Sequence, residues 1–136
     1  MTGKLLPARH GECSRLRGFT LVELMVVMTI IALLIAIAVP RYFHSIDNAR
    51  EATLKQDLSV MREAIDKFYG DHERYPKSLE ELVTRKYIRV IPPDPITGST
   101  ETWVLIPPEM DIGTAVYDVK SGAQGNASDG TPYAEW

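Results

Sequence analysis

The 136 residues predict an α+β fold. One long N-terminal α-helix, its first half membrane-spanning, is packed by a short helix and a small antiparallel β-sheet of two to three strands. Three features carry this reading: an almost uncharged apolar run over residues 19–39, a one-sided apolar stripe that continues it, and two short segments of β-branched and aromatic residues near the C-terminus.

Residues 1–18 show no sustained hydrophobic period and contain Gly3, Pro7 and Gly11, so they read as a disordered leader. Lys4, Arg9, Arg15 and Arg17 against Glu12 give it a formal charge of +3. That bias keeps the leader cytoplasmic and sends the remainder outward, with Arg41 weakening the asymmetry slightly.

The run GFTLVELMVVMTIIALLIAIAVP covers residues 18–40. At about 1.5 Å per residue, the 21 residues from Phe19 to Val39 reach across a hydrocarbon core of about 30 Å. Glu23 is their single charge. A carboxylate near the middle of a bilayer costs about 2.5–3.5 kcal/mol, so it needs a partner or a task. No Lys or Arg lies between Phe19 and Val39. A cut after Gly18 would supply one, because the new α-amine of Phe19 stands one helical turn before Glu23.

Pro40 is the first residue that could kink or interrupt the helix. The helical pattern resumes at once through Ile46, Ala49, Leu54, Leu58, Met61, Ile65 and Phe68, and it is expected to end near Gly70. Glu51 with Lys55 and Glu63 with Lys67 are placed for i,i+4 ion pairs on the opposite face. Lipid contact thus gives way to packing on one side, and the Leu/Met/Phe stripe reads as ordinary core.

Residues 71–76 read as a solvated turn, with His72 too isolated from other histidines for a metal cluster. Ser78 with Glu81 forms a capping box that predicts a helix over residues 79–86, burying Leu79, Leu82 and Val83. Pro92, Pro93 and Pro95 then break the pattern. Strands are expected over residues 102–106 and 114–119, facing the helix through Trp103, Val104, Ile106, Val116 and Tyr117. Pro132, Tyr133 and Trp136 are expected to fold the tail back on the domain.

The string Gly18-Phe19-Thr20-Leu21-Val22-Glu23, after a short basic leader and before an apolar helix, resembles the N-terminus of type IV pilins and of the pseudopilins of type II secretion. Downstream, Tyr75-Pro76, the segment from Ser78 to Val83, Pro92 to Pro95 with Gly98, and Trp103 are similar to the major pseudopilin of type II secretion. The resemblance implies a pilin-like fold in three parts: a cleaved cytoplasmic leader over 1–18, a transmembrane and assembly helix over 19–40, and a periplasmic globular domain over 41–136. It implies that prepilin peptidase cuts after Gly18 and methylates Phe19, and that Glu23 registers subunits in a filament. Implied partners are copies of this chain, the inner-membrane assembly platform of the secretion system and minor pseudopilins. Ala32 departs from the glycine many relatives carry there, which bears on local melting of the helix before Pro40 in assembled filaments.

Two simpler readings of the apolar run are a secretory signal, with Ala36-Ile37-Ala38 as its cleavage pattern, and a plain signal-anchor. The unusual length of the run and the embedded Glu23 argue against the first.

Removal of the leader leaves 118 residues with 11 basic and 17 acidic side chains, formally −6, which argues against nucleic acid as a partner. Cys13 lies in the leader, so the mature chain has no disulfide to staple its small domain. Many major type IV pilins close a C-terminal loop with a disulfide, so its absence leans toward the pseudopilin branch. The glycine-rich loop over residues 121–130 is full of short oxygen-bearing side chains of the kind that can wrap calcium. Major pseudopilins hold calcium in the corresponding loop, and the resemblance makes Asp129, Asn126 and Asp118 the candidate ligands here. One or two carboxylates make a weak site, and a metal-free turn network is the alternative.

No arrangement suits catalysis: His10, His44 and His72 are scattered, and no glycine-rich phosphate loop joins a strand to a helix. The expected function is therefore structural, a type II secretion pseudopilus subunit whose polymerisation drives protein export. A type IV pilus subunit for adhesion, motility or DNA uptake, or a minor pseudopilin, is the alternative.

Overall fold

The computed structural model describes residues 2–8, 11, 18–110 and 113–136. The expected disordered leader falls partly outside these, including Arg9, His10, Glu12, Cys13, Arg15 and Arg17. The chain divides into two compact units, Met1–Val39 and Pro40–Trp136. Helix α1, Leu21–His72, contributes to both.

In the first unit the side chains from Leu21 to Val39 are all exposed. This stretch is apolar on every side, and none of it is buried among the described residues.

In the second unit α1 buries Glu51, Leu54, Leu58, Met61, Ala64, Ile65 and Phe68. The alternating steps of three and four bring these side chains onto one stripe. The predicted stripe holds from Leu54 to Phe68, whereas Ile46 is half-buried and Ala49 exposed. Leu79, Leu82, Ile88, Trp103, Val116 and Val119 close over it to form one core. Each large apolar side chain so buried contributes about 1.5–3 kcal/mol.

Helix α1 passes through Gly70, where it was expected to end, and stops at His72. Glu73 takes φ 55° and its N–H still reaches the Tyr69 carbonyl at 2.8 Å. Interior glycine costs about 1 kcal/mol, and the extra turn gains packing in return. The His72 ring lies 4.4 Å from that of Phe68 and 6.1 Å from that of Tyr87, centroid to centroid. Asp71 and His72 are therefore helical, and His72 is half-buried rather than part of a solvated turn.

Helix α2 spans Leu79–Thr84, shorter than the expected 79–86, because Arg85 and Lys86 leave the helix and Lys86 takes φ 65°. Ser78 Oγ accepts from the Glu81 N–H at 3.4 Å, one half of the expected capping box. The other half is diverted: the Glu81 carboxylate accepts from the Lys77 N–H at 2.7 Å and pairs with Arg74 at 2.6 Å. Beyond α2 the proline-rich segment is fixed by Asp94, which is fully buried. Its carboxylate accepts from the Ile96 N–H at 2.8 Å and from Ser121 Oγ at 2.5 Å.

Strands β1, Trp103–Ile106, and β2, Asp118–Ser121, pair antiparallel with Trp103 opposite Ser121 and Ile106 opposite Asp118. Among the described residues the sheet has two strands. The second begins four residues later than expected. Residues 114–117 are spent on other contacts: the Val116 N–H donates to the Pro76 carbonyl at 2.8 Å and the Tyr117 N–H to the Ile106 carbonyl at 2.8 Å. Consequently Trp103 and Val116 are buried as expected and Ile106 half-buried, but Val104 and Tyr117 face outward, and Val119 fills the core instead. Gly122 follows β2 where a methyl group would overlap the Thr102 carbonyl oxygen, so only glycine fits.

Phe68→Ala should lower the unfolding free energy by about 3–5 kcal/mol, while Val104→Ala should change it by less than about 0.5 kcal/mol. Denaturant titration of the full chain in detergent checks both. Hydrogen bonds from Arg74, then from the Lys77 N–H, lower the Glu81 carboxyl from 4.5 to about 2. A depressed carboxyl stabilises the fold above its unfolded value of 4.5, and the effect is lost as pH falls through about 2. Glu81→Gln should therefore lower the melting temperature at pH 7, and the deficit should shrink steadily below pH 4.5.

Candidate functional site

Two places in the chain gather polar groups against apolar surface: the start of α1 and the C-terminal loop. Gly18, Phe19 and Thr20 precede the first helical residue and are exposed. A methyl group built on Gly18 would meet no atom within 4 Å, and Phe19 is 84% exposed. The Gly18–Phe19 bond thus lies in non-helical backbone, and among the described residues nothing crowds Gly18.

Thr20 caps the helix, its Oγ1 accepting from the Glu23 N–H at 3.1 Å. That places Glu23 in the first turn, where the helix dipole favours a negative charge by about 0.3–1 kcal/mol. Such a gain does not offset the roughly 2.5–3.5 kcal/mol of burying a carboxylate in lipid. Among the described residues no cation pairs with Glu23. The helix start therefore combines an exposed Gly18–Phe19 bond, a capped first turn and a carboxylate that has no counter-charge among the described residues.

At the other place, residues 123–136 lie along α1. The Glu51 carboxylate is buried, its residue 8% exposed. It accepts from the Ser128 N–H at 2.7 Å, from Ser128 Oγ at 2.6 Å and from Tyr133 Oη at 3.1 Å. Hydrogen bonding from the Ser128 hydroxyl, against burial, holds its carboxyl below the usual range. The expected Glu51–Lys55 pair does not form, because Glu51 is committed to the loop and Lys55 Nζ sits 4.3 Å from the Trp136 ring centroid. Glu63 and Lys67 do pair, at 2.9 Å. Arg62 contacts Asp118 at 2.8 Å and donates to the carbonyls of Val119 at 3.0 Å and Trp136 at 2.9 Å.

The three calcium candidates have separate commitments. Asp118 is paired with Arg62 and accepts from the Val119 N–H at 2.8 Å. Asp129 Oδ1 accepts from the Thr131 N–H at 2.9 Å and from its hydroxyl at 2.6 Å. Asn126 is bridged to Pro132 through the backbone. Among the described residues no three His, Cys, Asp or Glu side chains gather to hold a metal ion.

Sequence reasoning missed Glu51 as the anchor of this loop. The signal was present, since Glu51 stands three residues before Leu54 and so continues the buried stripe. Counting it on the polar face followed from its charge alone.

Residues 13–39 match the family model described as a prokaryotic N-terminal methylation motif. Type II secretion system core protein G of Klebsiella michiganensis is 33% identical over 98 residues, covering 60% of this chain and 69% of that protein. The protein of the same name from Vibrio cholerae is 28% identical over 130 residues, covering 82% and 88%. Type IV major pilin protein PilA of Myxococcus xanthus is 35% identical over 68 residues, half of this chain but only 31% of that protein. No solved structure matches. The methylation motif at the start of α1, the α+β domain behind it and the identity that extends through both place this chain in the type II secretion system core protein G family, the pseudopilins.

Proposed function

We propose that this chain is a structural subunit of a type II secretion pseudopilus, polymerised from the inner membrane into a filament that drives protein export. The observation that carries the proposal is the start of α1. A lone carboxylate, Glu23, sits on a fully exposed apolar helix, one turn after a reachable Gly18–Phe19 bond. Prepilin peptidase cuts that bond and methylates Phe19; methylation keeps the amine positive. In a filament the Phe19 amine of one subunit meets Glu23 of its neighbour, which neutralises two poorly solvated charges and sets the axial step.

The apolar surface from Leu21 to Val39 is far larger than a water-soluble monomer exposes, so lipid or neighbouring copies must cover it. Residues 19–40 hold each subunit in the inner membrane before assembly, and residues 41–136 form the periplasmic domain. Arg41, Tyr42 and Phe43 follow the apolar run and are exposed, a cation and two aromatics suited to the lipid headgroup boundary. The leader stays cytoplasmic. The inner-membrane assembly platform and minor pseudopilins complete the machine, and growth of the filament acts as a piston. The part is structural rather than enzymatic. The match to the Myxococcus pilin supports a surface pilus as the second reading, but it covers the shorter share of both chains.

Glu23→Ala should leave membrane insertion intact, since it makes the span more apolar, and should abolish cross-linked multimers in cells. Normal multimers from that variant would remove the proposed role of Glu23. Deletion of the gene should leave export substrates in the periplasm with surface fibres unchanged; loss of surface fibres with normal export would favour the pilus reading.

A further inference from the structure

A cation and a carboxylate can each close a loop, but they demand opposite surroundings. A bound calcium collects six to eight oxygen acceptors that point inward. A buried carboxylate collects donors. The C-terminal loop is built in the second way: the Ser128 amide, the Ser128 hydroxyl and the Tyr133 hydroxyl converge on Glu51 of α1. Their positive ends occupy the space in which a cation would have to approach that carboxylate.

Three carbonyls of the turn are engaged as well. The Ala127 carbonyl accepts from the Gly130 N–H at 2.9 Å, the Thr131 carbonyl from the Ala127 N–H at 2.8 Å, and the Gly125 carbonyl from the Tyr133 N–H at 3.2 Å. Gly130 takes φ 86° in that turn, a conformation open to glycine. Two cations of the chain already serve the segment: Arg62 binds Asp118 and the Trp136 carbonyl, and Lys55 lies over the Trp136 ring. A divalent ion placed beside them would meet like charge, and Asp129 Oδ1 already accepts from both the N–H and the hydroxyl of Thr131.

We infer that in this chain the Glu51 carboxylate replaces calcium as the closure of the C-terminal loop, so that the folded domain neither requires nor takes up the ion. The consequence is a pseudopilin whose fold is indifferent to external calcium, held shut by a contact between residues 77 positions apart in sequence.

The test uses the full mature chain in detergent. Thermal unfolding with excess chelator and with about 5 mM calcium, above the dissociation constants of weak extracellular sites, should give the same melting temperature. Calorimetric titration with calcium should show no saturable heat. A calcium-dependent rise in melting temperature together with one saturating site overturns the inference. Glu51→Gln and Ser128→Ala form a second arm read by amide exchange. Each should speed exchange at the loop amides, Ser128 and Thr131, by about tenfold or more, the scale of a hydrogen bond to a charged group, with exchange at Leu58 unchanged. Unaltered loop exchange in Ser128→Ala, which leaves the helix core untouched, would also overturn it.

Discussion

A carboxylate on an apolar helix cannot stay without a positive partner, and most of this chain follows from that constraint. Glu23 lies among residues that offer it none within the span, and the first turn of α1 returns only part of the cost of burying it. In the proposed filament a neighbour's terminal amine would remove the deficit, and it would exist only once the leader is cut away. That proposal ties processing, membrane anchoring and polymerisation to a single acid.

The domain end of α1 solves a different problem. A small domain without cysteine has few ways to fasten its last residues. Here the helix does it at three polar positions, Glu51, Lys55 and Arg62. These are long-range contacts through which the tail completes the core that Leu54 to Phe68 begin. Asp94 plays the same part for the proline-rich segment, joining it to Ser121 at the end of β2. Buried polar groups matched in this way fix one arrangement of loops where apolar packing alone would allow several.

What the sequence revealed and what it concealed divide along the same line. Periodicity exposed α1 and its stripe, because helical spacing is local; the cap at Ser78 located the start of α2 to the residue. The N-terminal motif named the family correctly, as the relatives show. Register was not legible. Residues 114–117 look like a strand in composition, yet the Pro76 carbonyl, forty residues away, claims the Val116 N–H. Glu51 was misread for a related reason: its donors lie 77 and 82 residues downstream, and a charge at the edge of a stripe reads as solvent-facing until its partners are known. The calcium candidates were chosen by side-chain type, and the ion pair of Asp118 with Arg62, 56 residues away, was not legible in the sequence.

The most direct test of the pairing on which the filament depends is the intact mass of the protein purified from the inner membrane of working cells. The expected species begins at Phe19 and carries one added methyl group on its amine. A functional chain that retains residues 1–18 would leave Glu23 without its partner, one that begins after Ala38 would lack Glu23 altogether, and either would contradict the account.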